Sequence, residues 1–245
     1  MTTNTQPTIP KSWKRPFFTI WTGQAFSVFG SQLVQFALIW YLTKTTGSGT
    51  VLATASLAGI LPQVIIAPFA GAIVDRLNRR WVMIISDACV ALATLVLAGL
   101  FALGVVQIWH IYLIMFIRAI CGNFQSPAMM ASTSLMVPQD QLTRIQGLNT
   151  TLYGSLNILT APLGALLMEV MPVYGILGID IFTALLAILP LFFIAIPQPA
   201  VSPTPAEADQ PVKTLFRDMY AGLKYVLTWQ GLLIILLFAM LINFL

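Results

Sequence analysis

Three charged side chains fall inside long apolar segments of the sequence. Arg118 lies about midway along one such segment, while Asp87 and Asp180 each lie near one end of another. A charge at the centre of a bilayer costs at least about 2.5–3.5 kcal/mol, so a residue of this kind usually serves a function. A carboxyl group in a low-dielectric site can bind or release a proton as its access to water changes. The three residues are therefore candidates for proton coupling or substrate binding.

Each of these residues also has a structural interpretation. Arg118 could simply donate hydrogen bonds to carbonyl groups between helices. Asp87 lies near a basic loop at residues 76–80 in the sequence and could be the structural partner of that loop. The sequence favours this structural role for Asp87, leaves the role of Asp180 open and favours a functional role for Arg118.

Two polar stripes indicate where a substrate could bind. They consist of Gln24, Ser27, Ser31 and Gln35 in the first apolar segment, and of Gln146, Asn149, Tyr153, Asn157 and Thr160 in the fifth. Amide and hydroxyl groups cannot face lipid cheaply. They either line a wet cavity or join helices by side-chain hydrogen bonds. Aromatic residues between the polar positions of the first segment are compatible with a cavity for large amphipathic molecules, or with lipid contact.

The composition indicates that membrane helices position these side chains. The chain is 58% hydrophobic and 8% charged, whereas soluble domains contain roughly 25% charged residues. Several apolar runs reach the roughly 18–20 residues that cross a hydrocarbon core about 30 Å thick. We therefore expect an all-α polytopic membrane protein. The basic residues flank the apolar runs rather than forming one patch with interleaved aromatics, so no nucleic-acid partner is expected.

The apolar runs predict six spans and the beginning of a seventh. The six cover about residues 17–42, 51–74 and 82–103, a fourth run ending near residue 130, then 146–170 and 174–196. We expect a polar tail over 1–16, a six-helix unit over 17–196, a linker with an amphipathic surface helix over 197–229, and a seventh span from residue 230. Residues 231–245 would rise only about 22 Å, less than the bilayer thickness, so a missing second half is expected.

The distribution of positive charge predicts the orientation. If the six spans alternate in direction, all of the 12 Lys and Arg residues except Lys44 and Arg118 fall on one side of the membrane. Basic loops are retained on the cytoplasmic side. We therefore expect a multi-pass protein of the plasma membrane whose N-terminus is cytoplasmic.

A short internal repeat relates the two halves of the six-helix unit. Gly71 precedes Asp87 by 16 residues, and Gly164 precedes Asp180 by 16. The pattern Asp-x-x-x-Ala-Leu follows at both positions. The second span therefore corresponds to the fifth and the third to the sixth. Because three is an odd number, the two triplets would insert in opposite directions, as in the inverted repeats of secondary transporters.

The loop between the second and third spans resembles a signature of the major facilitator superfamily. The matching residues are Gly71, Asp75, Arg76, Arg79 and Arg80. Asn78 stands where that signature usually has a second glycine, and asparagine tolerates the left-handed conformation of a tight turn. The resemblance implies that the six spans form the N-terminal half of a transporter built from two inverted three-helix repeats.

Further motifs are similar to those of the macrolide-efflux branch of the drug:proton antiporters. They are Phe18-Thr-Ile-Trp21-x-Gly23-Gln24-Ala25, Tyr41-Leu-Thr-x-x-Thr-Gly47-Ser48, Phe116-Ile-Arg118 and Val137-Pro138-x-x-Gln141-Leu-Thr143. The Pro-Gly motif of drug antiporters is present only as Ala161-Pro162-Leu-Gly164-Ala165, with alanine at a usual glycine position. The resemblance implies export of small amphipathic drugs by proton antiport with alternating access. It implies no cofactor besides the proton gradient, and membrane lipid around the chain.

The signature loop also suggests a gate. Asp75 could face a helix N-terminus of the second half, where the partial positive charge favours a carboxylate. Together with the arginines of the loop, this contact would close the cytoplasmic side in one state and open it in the other. The alternative is that the arginines only obey the positive-inside rule.

Two other functions remain open at this point, and a third is considered and not expected. The first is a siderophore or metabolite exporter with the same fold, and the second is a truncated half that is inactive or pairs with another chain. The third, an intramembrane enzyme, would need a nucleophile, paired carboxylates or a metal cluster. Since Cys89 and Cys121 both lie in apolar runs and the chain has one His, neither an enzyme nor a metal site is expected.

Overall fold

The computed structural model describes residues 12–198 and isolated residues between 228 and 242. The chain divides into two compact units, residues 1–199 and 200–245. The seven helices whose ends are described all belong to the first unit. Most of the predicted N-terminal tail, the linker with its amphipathic helix and most of the seventh span lie outside the described residues.

Within the residues that the structure describes, the first unit is a bundle of seven helices. Its helices are α1 (Lys14–Thr46), α2 (Gly49–Arg76), α3 (Arg79–Ala102), α4 (Ile108–Gly122), α5 (Gln125–Met136), α6 (Gln139–Val170) and α7 (Val173–Phe193). Among these, α1, α2, α3, α6 and α7 are each long and apolar enough to cross a membrane. The described part of the chain contains no strand. The prediction of an all-α polytopic membrane protein is confirmed.

The fourth predicted span is broken into two helices rather than continuous. Helix α4 ends at Gly122 and α5 begins at Gln125, with a turn between them. Glycine and asparagine are poor helix formers, and the side-chain amide of Asn123 donates to the carbonyl oxygen of Gln63 in α2 at 3.1 Å. A broken helix at membrane depth is tolerated where it is buried in protein or lines a cavity. The break therefore suggests that a cavity adjoins this position.

The turn between α2 and α3 differs from the expectation for Asn78. This residue has φ −66° and is the N-cap of α3, not a left-handed turn residue. Its side-chain oxygen accepts a hydrogen bond from the backbone N–H of Arg80 at 3.1 Å. Asparagine suits this position because it satisfies an otherwise unpaired N–H at the start of a helix.

Helix α1 packs very closely against α7 because small residues line the contact. A Cβ atom added to Gly23 would lie 2.9 Å from the carbonyl oxygen of Leu186. One added to Gly30 would overlap the hydroxyl of Thr183 and lie 3.0 Å from the Cα atom of Asp180. Small residues allow helix backbones to approach in this way in membranes. The close approach places the polar residues of α1 beside those of α7.

Two apolar clusters fill the bundle, one toward each end. One contains Leu33, Leu38, Leu97, Met115 and Leu177, and the other contains Phe17, Ile20, Ile84, Ala128 and Ile188. On α1, α3 and α7, which contribute to both clusters, the stretch between them carries buried polar residues: Gln24 and Ser27 on α1, Asp87 on α3, and Asp180 on α7. Arg118 of α4, a helix that contributes to one cluster only, is buried as well. The bundle therefore has a polar layer between two apolar ones.

Candidate functional site

The structure brings the three charged candidates into one buried layer. Asp87, Arg118 and Asp180 are only 3%, 8% and 0% exposed. Each lies on a different helix, and the apolar clusters on both sides fix its depth in the bundle. Burying a charge without partners is strongly unfavourable, so the partners of each residue decide what it can do.

Asp180 forms a buried ion pair with Arg118. The Nη1 atom of Arg118 lies 2.5 Å from the Oδ2 atom of Asp180 and also donates to the hydroxyl of Thr94. The Thr94 hydroxyl donates to the same carboxylate oxygen at 2.9 Å, and the Ser31 hydroxyl donates to the other oxygen at 2.9 Å. Both carboxylate oxygens therefore have partners, and a full positive charge balances the negative one.

Asp87 is held by neutral groups only. Its carboxylate accepts hydrogen bonds from the side-chain amides of Gln24 and Gln125 at 2.8 and 2.9 Å, and from the Ser27 hydroxyl at 3.3 Å. Within residues 12–198, no Lys, Arg or His side chain forms an ion pair with this carboxylate. Its partners are thus not the basic loop that the sequence suggested. The loop arginines bond elsewhere, and the break between α4 and α5 supplies Gln125 instead.

Asp87 also borders open space, unlike Asp180. We call this space the central cavity; its volume is about 350 Å³. Its polar lining consists of Ser31, Gln32, Gln35, Gln63, Asp87, Arg118 and Gln125. Asp180 is fully buried and does not line it. The cavity therefore exposes one carboxylate and one guanidinium to a potential ligand.

A smaller side cavity of about 110 Å³ lies between α1, α5 and α6. It is lined by Trp21, Gln24, Gln125, Met129, Asn149 and Tyr153, among others. It shares Val28 and Gln125 with the central cavity. Of the two amides that hold Asp87, Gln125 therefore lines both spaces and Gln24 lines the side cavity. Gln24, Ser31, Gln35, Asn149 and Tyr153 all line one of the two cavities, as their polarity suggested.

The polar stripe of the fifth span, which is helix α6, both lines a cavity and joins helices by hydrogen bonds. The indole N–H of Trp21 donates to the side-chain oxygen of Asn149 at 2.6 Å. The hydroxyl of Thr160 donates to the side-chain oxygen of Gln32 at 3.1 Å. These bonds join α6 to α1 as well as shaping the side cavity. Asn157 is exposed and lines neither cavity.

The arginines of the signature loop brace neighbouring helices. Arg79 donates to the carbonyl oxygen of Ala131 in α5 at 3.0 Å, and Arg80 donates to that of Phe192 in α7 at 2.6 Å. Phe192 is among the last residues of α7. The last carbonyl groups of a helix lack partners within it and carry partial negative charge, so the position of Arg80 is favourable. The sequence did not predict this role. It depends on contacts between segments far apart in the chain.

Asp75 remains available for other contacts. Its side chain is 71% exposed, and its nearest carboxylate oxygen lies 3.7 Å from Nη2 of Arg79. Arg76 is exposed too. A Cβ atom added to Gly71 would meet no atom within 4 Å among the described residues, so the first unit itself does not require glycine there.

A helical membrane bundle with a buried polar layer and an adjoining cavity is typical of transporters. The sequence model of the Major Facilitator Superfamily matches residues 20–245. The chain therefore belongs to this superfamily, whose members are transporters. The superfamily resemblance of the signature loop is confirmed, and the chain is a multi-pass membrane protein.

Within the superfamily, the chain is similar to proteins named as drug efflux proteins. The chain is 38% identical to macrolide efflux protein A of Streptococcus pyogenes over 187 residues, which are 76% of this chain and 46% of the relative. It is 34% identical to macrolide efflux protein A of Enterococcus faecalis over 152 residues, 62% of this chain and 47% of the relative. It is 33% identical to the multidrug efflux pump Tap of Mycolicibacterium fortuitum over 113 residues, which are 45% of this chain and 27% of the relative. The matches span about half the length of the macrolide relatives.

Proposed function

We propose that this chain forms the N-terminal half of a secondary transporter that exports amphipathic, macrolide-like compounds in exchange for protons. The names of its relatives support the substrate class. The single observation that supports proton exchange is the environment of Asp87, a buried carboxyl group that faces a cavity and has only neutral partners. The proton gradient would be the only energy source, with no cofactor.

In this proposal Asp87 carries the proton. A buried carboxylate without a positive partner costs several kcal/mol, and either a proton or a cationic substrate removes that cost. A protonated carboxyl group donates one hydrogen bond and can no longer accept from all the donors that a carboxylate satisfies. Protonation would therefore rearrange Gln24 and Gln125. Because Gln125 lines both cavities and Gln24 lines the side cavity, the change would reach a substrate bound there directly.

Arg118 and Asp180 have a different role in the same proposal. The ion pair fixes the guanidinium of Arg118 at the wall of the central cavity. Its positive charge would favour loss of the proton from Asp87 when the cavity is open to water. Asp180 then serves as a permanent counter-charge rather than as a proton carrier.

Alternating access would involve the signature loop. We infer from the distribution of basic residues that the loop and the N-terminus lie on the cytoplasmic side of the plasma membrane. Asp75 is exposed and can contact a second half of the transporter, while Arg79 and Arg80 hold α5 and α7. The loop would thus link closure of the cytoplasmic side to the positions of these helices.

Transport in inverted membrane vesicles tests the proton role. The Asp87→Asn variant keeps the size of the side chain but cannot carry a proton, and like the protonated carboxyl group it is uncharged and has a donor group in place of one acceptor oxygen. We expect proton-driven uptake of a macrolide to fall at least about 100-fold, the lower end of the loss typical for one proton-transfer group, while exchange of macrolide without a gradient continues. Asp140→Asn, which changes an exposed carboxylate at the start of α6, is the control. Proton-driven uptake by Asp87→Asn at the wild-type rate would reject the proposal.

One observation supports a second substrate class. The guanidinium of Arg118 lines the central cavity and could bind a carboxylate of a siderophore or another anionic metabolite. The same vesicles distinguish the two classes. Uptake of an anionic siderophore but not of a macrolide would favour the metabolite exporter.

A further inference from the structure

A third cavity lies apart from the polar layer. Its lining residues are Trp13, Lys14 and Phe18 from α1, and Gln141, Arg144, Ile145, Leu148 and Thr151 from α6. We call it the basic groove; its volume is about 470 Å³. None of these residues lines the central or the side cavity. Both helices begin here, so the groove lies at one end of the bundle, at the depth of a membrane surface.

Two positive charges face an apolar wall in the basic groove. Lys14 and Arg144 are exposed, and neither forms an ion pair with any residue of the described chain. The nearest acidic residue in the sequence, Asp140, accepts a hydrogen bond from the side chain of Gln141 at 2.9 Å. Phe18 forms part of the wall and is 37% exposed. The groove therefore combines unbalanced positive charge with exposed aromatic surface.

The groove opens on a different face of α6 from the side cavity. Arg144, Leu148 and Thr151 follow each other at intervals of four and three residues, which places them on one helical face. The side cavity uses the face of Asn149 and Tyr153, and the Trp21–Asn149 hydrogen bond joins α6 to α1 between the two faces. The basic groove is thus separated from the polar layer by the contact between α1 and α6.

Apolar side chains continue from the groove toward the middle of the bundle. Phe26 of α1 is 55% exposed and Leu159 of α6 is 50% exposed. Phe26 lies about 12 Å along the helix axis from Phe18, at 1.5 Å per residue. A ligand with a negative head and long apolar chains could contact both the groove and this surface. A free anion such as phosphate could contact the groove alone.

We propose that the basic groove binds the phosphate headgroup of an anionic phospholipid, whose acyl chains extend along Phe26 and Leu159. Basic pockets between membrane helices bind anionic headgroups, and tryptophan is enriched at the level of the headgroups. A cavity of this size accommodates a headgroup and its glycerol rather than a whole lipid. This site is independent of the proposed transport activity and uses none of its residues.

Lipid binding by the purified chain tests the proposal. Native mass spectrometry in an uncharged detergent measures the affinity for phosphatidylglycerol and for phosphatidylcholine. Each cation near an anionic headgroup raises the affinity about five-fold. Because the groove has two cations, we expect phosphatidylglycerol to bind about 30-fold more tightly than phosphatidylcholine. Lys14→Gln and Arg144→Gln should each remove about five-fold of this preference, and the double variant should remove nearly all of it. Arg15→Gln, a change of an exposed cation outside the groove, should alter the affinity less than about two-fold.

Three results would overturn the proposal. The first is equal affinity of the unaltered chain for the two lipids. The second is an Arg15→Gln variant that weakens binding as much as Lys14→Gln does, because the attraction would then be general. The third is displacement of phosphatidylglycerol by inorganic phosphate at comparable concentrations, which would indicate an anion site without lipid contacts. Transport assays do not enter this test, so its failure leaves the proton proposal untouched.

Discussion

Asp87 and Asp180 occupy corresponding positions in the two sequence repeats but have opposite surroundings. Asp180 is fully buried, pairs with Arg118 and contacts no cavity. Asp87 lines the central cavity and bonds to two amides and one hydroxyl. The same residue type at corresponding positions has a charged partner in one repeat and only neutral partners in the other.

The difference shows that depth in the membrane does not by itself identify a proton carrier. A carboxylate with a fixed positive partner has little to gain from a proton, whereas one with neutral partners and access to water can change its charge. We therefore infer the reverse of the sequence interpretation, which favoured a structural role for Asp87. This inference rests on the partners of the two carboxylates, which come from helices that the sequence could not place.

Removing the positive partner of Asp180 should have the largest effect. Arg118→Ala leaves a buried carboxylate unbalanced, so we expect a loss of about 3–5 kcal/mol in the free energy of unfolding. Unfolding of the purified chain in detergent measures it. The double variant Arg118→Ala/Asp180→Asn should recover much of the loss. Gln24→Leu, which removes one neutral partner of Asp87, should cost only about 1–3 kcal/mol. Equal losses for Arg118→Ala and Gln24→Leu would contradict the comparison.

A smaller loss should follow from a methyl group beside Asp180. In Gly30→Ala the new Cβ atom overlaps the Thr183 hydroxyl and presses on the backbone of Asp180. We expect unfolding to become easier by about 1–3 kcal/mol, the usual cost of overpacking. Gly154→Ala is the control, because a Cβ atom there meets nothing within 4 Å. If both variants are equally stable, the surroundings of Asp180 are less rigid than the comparison requires.

The smallest change in stability should come from the exposed end of the bundle. Asp75→Ala removes a carboxylate that is 71% exposed and 3.7 Å from its partner. Such pairs contribute about 0–1 kcal/mol, so melting should hardly change. If the signature loop gates the cytoplasmic side, transport in vesicles should nevertheless fall. Unchanged transport would remove Asp75 from the proposed gate and leave the roles of Asp87 and Asp180 as they are.

The sequence predicted the fold class well because composition and the length of apolar runs depend on the membrane alone. It also identified the buried charges, since a charge in an apolar run is rare whatever surrounds it. It missed Gln125, because the break before this residue depends on the contact between Asn123 and α2. It missed the bracing by Arg79 and Arg80 for a similar reason, as their partners lie 52 and 112 residues further along.

The interruption between α4 and α5 has a mechanical consequence. A continuous helix transmits a tilt at one end to the other end. Here α4 is tied to α2 through its C-cap residue Asn123, and α5 is held at Ala131 by Arg79. In the proposed alternating access, the two-residue turn between α4 and α5 would act as a pivot. It would let the passage widen toward one membrane surface while the packing near the other surface stays as it is.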